Sequence, residues 1–117
     1  MSFLIVDDNP LMRRIIGRVV RDLTDCVIEC ADGAEALLAY QTNLPEWVLM
    51  DVEMTDKDGL TATREICAAY PTARIVIVTN YGGEGMREAA ARAGACGYVM
   101  KENLLELRGI LGGSLAN

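Results

Sequence analysis

The sequence predicts an α/β domain in which a parallel sheet is covered by helices on both faces. Short apolar runs alternate five times with segments of helical periodicity. The strand-like runs are apolar at successive rather than alternate positions, the pattern of strands buried on both faces. Connections are short, and no repeat, low-complexity tract or internal linker breaks the βα rhythm. A chain of 117 residues has the length of one ordinary domain.

Ser2 to Val6 reads as the first strand. Asn9-Pro10 then supplies a helix start, with Asn as N-cap and Pro at the first helical position. Leu11, Ile15, Ile16, Val19, Val20 and Leu23 follow at helical spacing, while Arg13, Arg14, Arg18 and Arg21 point elsewhere. Val27 to Cys30 is a second strand, and Asp32-Gly33 turns the chain into a helix over Ala34 to Gln41. Glu46 to Met50 runs apolar up to Asp51 as the third strand. Asp58-Gly59 precedes a helix from Leu60 to Tyr70, stopped by Pro71. Arg74 to Thr79 is a β-branched fourth strand, and Tyr81 to Gly85 a glycine-rich loop. Met86 to Ala93 is an Ala-rich helix closed by Gly94, Gly97 to Met100 the fifth strand, and Leu104 to Leu111 the last helix. This assigns residues 1–111 to the domain and 112–117 to a tail or the start of a linker.

Composition excludes several functions. The net charge of −6 argues against direct contact with nucleic acid or anionic lipid. No apolar run approaches the ~20 residues that span a bilayer, no basic segment leads an apolar one at the start, and a cytoplasmic location is expected. Cys26, Cys30, Cys67 and Cys96 form no C-x-x-C pair and read as reduced, small hydrophobic residues. The chain has no His, which removes Ser-His-Asp and Cys-His nucleophiles and a phosphohistidine on this chain. Covalent phosphoryl chemistry would have to use a carboxylate or a hydroxyl.

Polar residues cluster where the strands end. In a parallel sheet those ends share one edge, so Asp7 and Asp8, Asp51, Thr79 and Lys101 arrive together from four segments. Ligands bind at this edge, in the crevice where strand order reverses. Three carboxylates crowded together repel unless a cation sits among them. Lys101 supplies one charge, and a set of oxygen ligands suits Mg²⁺, which binds through one or two carboxylates and can bridge to phosphate. The pattern reads as a Mg²⁺ cradle with a carboxylate facing a phosphoryl group.

With these residues in place, the chain resembles the receiver domains of two-component response regulators, the CheY-like family. "VDDNPLMRR", "ADGAEAL", "LMDVEMTDKDGL", "IVIVTNY" and "AGACGYVMK" occur in order over nearly the whole chain. The wording of "TNY" and "AGACGYVMK" is closest to receivers of the NarL type, which precede a helix-turn-helix output domain. The resemblance implies a (βα)5 flavodoxin-like, doubly wound sheet with strand order 2-1-3-4-5. It implies that Asp51 takes a phosphoryl group from a histidine kinase. Asp8, Asp51 and the Glu53 backbone carbonyl would ligate Mg²⁺, with Asp7 acting through a water. Lys101 and Thr79 would contact the phosphoryl oxygens, and Tyr98 would be the aromatic that changes position with Thr79. Outputs implied are a homodimer through the 86–111 face and a C-terminal DNA-binding domain absent from this chain. Such a domain is no enzyme beyond its own phosphorylation and dephosphorylation.

Three positions depart from the family pattern. Thr55 stands for the usual Pro after Met54. Glu102 replaces the Pro that often follows the lysine in a cis bond; before a non-proline that bond costs about 2.5–4 kcal/mol. Asn80 stands where a small residue is commoner, and Glu53 and Tyr81 flank the expected phosphorylation pocket. The alternatives are a degenerate receiver acting as an interaction module, a flavodoxin-type electron carrier and a haloacid-dehalogenase-type phosphatase. The second lacks a hydroxyl-rich phosphate loop after strand one, and the third lacks the D-x-D nucleophile motif.

Overall fold

The computed structural model describes residues 1–115, with side chains through residue 112. Five strands form one parallel sheet in the order β2-β1-β3-β4-β5: β1 (Ser2–Val6), β2 (Cys26–Cys30), β3 (Trp47–Met50), β4 (Ile75–Thr79) and β5 (Gly97–Met100). The helices are α1 (Pro10–Val20), α2 (Gly33–Asn43), α3 (Gly59–Ala69), α4 (Glu84–Ala93) and α5 (Glu106–Leu115). This is the expected flavodoxin-like architecture and strand order.

The continuous apolar runs divide between two cores, one on each face. Leu4, Val6, Val48, Met50, Ile75 and Ile77 pack toward α2, α3 and α4, against residues such as Ala36, Ala62, Ile66 and Ala90. The alternate residues Phe3, Ile5, Leu49, Val76, Val78 and Val99 pack toward α1 and α5, against Ile16, Val20, Leu107 and Leu111. Fully burying one such side chain stabilises the fold by about 1.5–3 kcal/mol, so each strand is held from both sides. No helix among the described residues is long and apolar enough to cross a membrane.

Caps set the helix starts. Asn9 Oδ1 accepts from the amides of Leu11 and Met12 at 2.9 and 3.2 Å, with Pro10 opening α1 as expected. Asp32 and Asp58 cap α2 and α3. The ends differ from the sequence reading in several places. α4 begins at Glu84 rather than Met86: Gly83 takes a left-handed φ of 103° at the N-cap, and Gly85 enters the first turn instead of the loop. Single turns of 3₁₀ helix span Arg21–Leu23 and Lys101–Asn103, so α5 begins at Glu106 rather than Leu104 and continues past Leu111 to Leu115. The expected tail therefore overlaps this helix, and residues 116–117 lie outside the described residues. No peptide bond among the described residues is cis, so Glu102 follows Lys101 through a trans bond. All four cysteines are free, but only Cys30 is buried; Cys26 and Cys96 are exposed, so the small-hydrophobe role does not extend to them.

Candidate functional site

The register of β1 and β3 brings the acidic residues together. Val6 pairs with Met50, so Asp7 and Asp51 are the next residues out on neighbouring strands. The Asp51 amide donates to the Val6 carbonyl at 2.9 Å, and the Asp7 amide donates to Cys30 at 3.1 Å. β1 is also where the sheet changes direction, because β2 lies on one side of it and β3 on the other. Thr79 pairs with Met100, which delivers Lys101 to the same edge.

The expected residues converge. One carboxylate oxygen from each of Asp7, Asp8 and Asp51 lies within 4.8 Å of the others, with Asp7 and Asp51 buried and Asp8 exposed. Lys101 Nζ sits 2.9 Å from Asp7 Oδ2 and 3.2 Å from Asp51 Oδ1. These residues, together with Glu53 and Thr79, line one cleft of ≈ 570 Å³. Thr79 is buried, and its Oγ1 accepts from the Tyr81 amide at 3.1 Å. Tyr98 does not line the cleft. Its hydroxyl donates to the Tyr81 carbonyl in the loop after β4, and the Arg87 guanidinium stacks 4.8 Å from its ring centre.

The charges are not balanced. Burial first, and the neighbouring Asp7 charge second, push the Asp51 carboxyl up to about 6, although Lys101 opposes both. Burial pulls the Lys101 ammonium down, but the hydrogen-bonding and charge of Asp7 and Asp51 outweigh it, and its pKa ends above the ordinary value. Three carboxylates face one ammonium, which leaves a deficit of two positive charges. Asp7 Oδ2 is buried, with the Lys101 ammonium 2.9 Å away as its charged partner. A hard divalent cation fits this deficit, since one carboxylate oxygen from each of Asp7, Asp8 and Asp51 faces the same space and the donors are all oxygen.

Several supporting residues were not singled out from the sequence. Asp7 is fixed from both ends: its Oδ1 accepts from the Asn9 amide at 2.9 Å and its carbonyl from Arg13 Nη1 at 2.6 Å. Gly59, read from the sequence only as preceding the third helix, lies against the Asp51 carbonyl so closely that any Cβ would collide with it. Its amide donates to Val52 at 2.9 Å, which folds the 52–58 loop over the site. The adjoining Asp58 cap was the visible signal; the close approach was not.

Comparison with known proteins identifies the family. A sequence model described as the response regulator receiver domain matches residues 3–110. The chain is 35% identical over 104 residues to the transcriptional regulatory protein YxjL of Bacillus subtilis, covering 87% of this chain and 48% of YxjL. It thus spans about half the length of that relative. It is 35% identical over 98 residues to the chemotaxis protein CheY of Halobacterium salinarum, covering 84% of this chain and 82% of that protein. A LuxR-family two-component response regulator from Aurantimonas superposes with a TM-score of 0.84 at 32% identity, over 96% of this chain and 85% of that one. The chain belongs to the response regulator receiver domain family.

Proposed function

We propose that this receiver domain accepts a phosphoryl group on Asp51 from the phosphohistidine of a sensor kinase in the cytoplasm. The observation that carries this is the meeting of Asp7, Asp8 and Asp51 within 4.8 Å beside the Lys101 ammonium. Asp51 Oδ attacks phosphorus, the P–N bond breaks, and the electron pair returns to the imidazole nitrogen, which takes up a proton. Asp8, Asp51 and the Glu53 carbonyl would hold Mg²⁺, with Asp7 reaching it through a water. Bound there, Mg²⁺ supplies charge neutralisation for the carboxylates and the incoming phosphoryl oxygens.

The chain's own residues do the rest. Lys101, already held between Asp7 and Asp51, pairs with a phosphoryl oxygen as it arrives. Thr79 exchanges the Tyr81 amide for a phosphoryl acceptor. That exchange releases the loop on which Tyr98 is hydrogen-bonded, and the change spreads across α4, β5 and α5. The reader of this 86–111 face is a second copy or a C-terminal DNA-binding domain following residues 1–111. The transcriptional regulator YxjL, about twice as long, supports an output of that kind.

Incubation with Mg²⁺ and acetyl phosphate tests the proposal by intact mass. One phosphoryl group is expected on the wild type and none on Asp51→Asn. An unmodified wild type beside a reactive receiver control leaves the domain as a phosphorylation-independent interaction module.

A further inference from the structure

Four of the eleven cationic side chains of this acidic chain fall between residues 13 and 21. Arg13 is committed to the fold, 2.9 Å from Glu29 and bonded to the Asp7 carbonyl. Arg14, Arg18 and Arg21 are exposed, and none is in an ion pair among the described residues. Their i, i+4, i+7 spacing puts them in one row along α1 and into the 3₁₀ turn that follows it, over about 10 Å. The row borders a groove of ≈ 320 Å³ between α1 and β2, an edge strand of the sheet. Gly17 and Val27 form its floor, and Glu29, across it, is already neutralised by Arg13.

The phosphoryl site makes no use of this row. Three free guanidiniums beside a small apolar floor are a receptor for carboxylates on a short amphipathic segment. A long polyanion suits it less well, because it would extend past these three arginines over a chain of net charge −6. We propose that the α1–β2 groove docks an acidic segment of a partner protein. Its carboxylates pair with Arg14, Arg18 and Arg21, and an apolar side chain rests on Gly17 and Val27.

The test uses a fluorescein-labelled helical peptide with Glu at i, i+4 and i+7 and Leu at i+3, titrated against the full chain by anisotropy. Binding is expected at low salt and lost toward ~0.5 M NaCl. Replacing all three arginines by glutamine (Arg14→Gln, Arg18→Gln, Arg21→Gln) is expected to weaken it about tenfold, each exposed pair adding a modest share. Gly17→Leu changes no charge and fills the groove; its Cβ meets Ile5 Cδ1 at 3.9 Å, an ordinary contact, and a urea midpoint matching the wild type's checks that the longer side chain leaves the fold intact. This variant is expected to weaken binding as well. Equal affinity in both variants, or equal binding of the Glu→Gln peptide, overturns the proposal. So does tighter, arginine-dependent binding of a labelled single-stranded DNA, which assigns the row to nucleic acid.

Discussion

Tyr81 reaches across the mouth of the acidic cleft to Glu53, its hydroxyl donating to the two carboxylate oxygens at 2.6 and 2.8 Å. The two residues come from the loops after β4 and β3, and both line the cleft beside Asp51. The Glu53 carboxylate, by accepting the hydrogen bond and by its charge, holds the Tyr81 phenol above its ordinary pKa, so the bridge persists through neutral and mildly alkaline pH. A phosphodonor approaching Asp51 has to pass or displace it. Tyr81→Phe removes the bond and leaves the ring. Acetyl phosphate uptake should speed up about two- to tenfold, the equivalent of one hydrogen bond of ~0.5–1.5 kcal/mol. Phosphorylation time courses by intact mass check this, and an unchanged rate shows that the bridge does not control access.

The Asp51 carboxyl, raised by burial and by Asp7 from 3.8 to about 6, carries a stability cost in the metal-free protein. Between those two values the folded state holds a proton that the unfolded state has released. Folding stability therefore falls as pH rises from about 4 to 6 and stays reduced above that. Two units correspond to about 3 kcal/mol at most, and solvent reaching the cleft reduces this. Asp51→Asn removes the charge. In EDTA it should be more stable than the wild type by about 1–2 kcal/mol at pH 7.5, with the advantage shrinking toward pH 4. Urea midpoints at the two pH values measure it; a variant equally or less stable at pH 7.5 shows that the Asp51 charge is already compensated.

The strands and the cleft were legible in the sequence because both follow from local pattern. Buried parallel strands are apolar at every position, and parallel strands end at one edge, so Asp7, Asp8, Asp51, Thr79 and Lys101 could be placed together without coordinates. Contacts set by reach across that edge were not legible. That Tyr81 meets Glu53, or that Arg13 turns back to the Asp7 carbonyl, depends on loop paths and rotamers with no period. Helix ends failed where glycine was read as loop: Gly85 and Gly112 are both helical, held by neighbouring turns despite their propensity. The contact between Tyr98 and the Tyr81 carbonyl belongs to the same class, since sequence marks the aromatic but not its acceptor.

Among the described residues, Lys101 is the only cationic side chain lining the acidic cleft, and its side chain is 9% exposed. Replacing it by methionine keeps the stem's packing and removes the charge, so Asp7 and Asp51 face each other uncompensated. Breaking a buried pair on one side costs about 3–5 kcal/mol when the remaining charge cannot adjust. Here it can, because Asp51 already titrates near 6 and rises further without the ammonium. Protonation then limits the loss to about 1–3 kcal/mol at pH 7.5 and to less at pH 5, where the carboxyl is neutral in the folded state. A divalent cation replaces the missing charge, so ~10 mM Mg²⁺ should raise the urea midpoint of Lys101→Met more than that of the wild type. The same variant retains Asp51 and the metal donors but lacks the group that meets the phosphoryl oxygens, so its labelling by acetyl phosphate should slow even when stability is restored. A Lys101→Met protein that Mg²⁺ does not stabilise, or that labels at the wild-type rate, contradicts the role given to this ammonium.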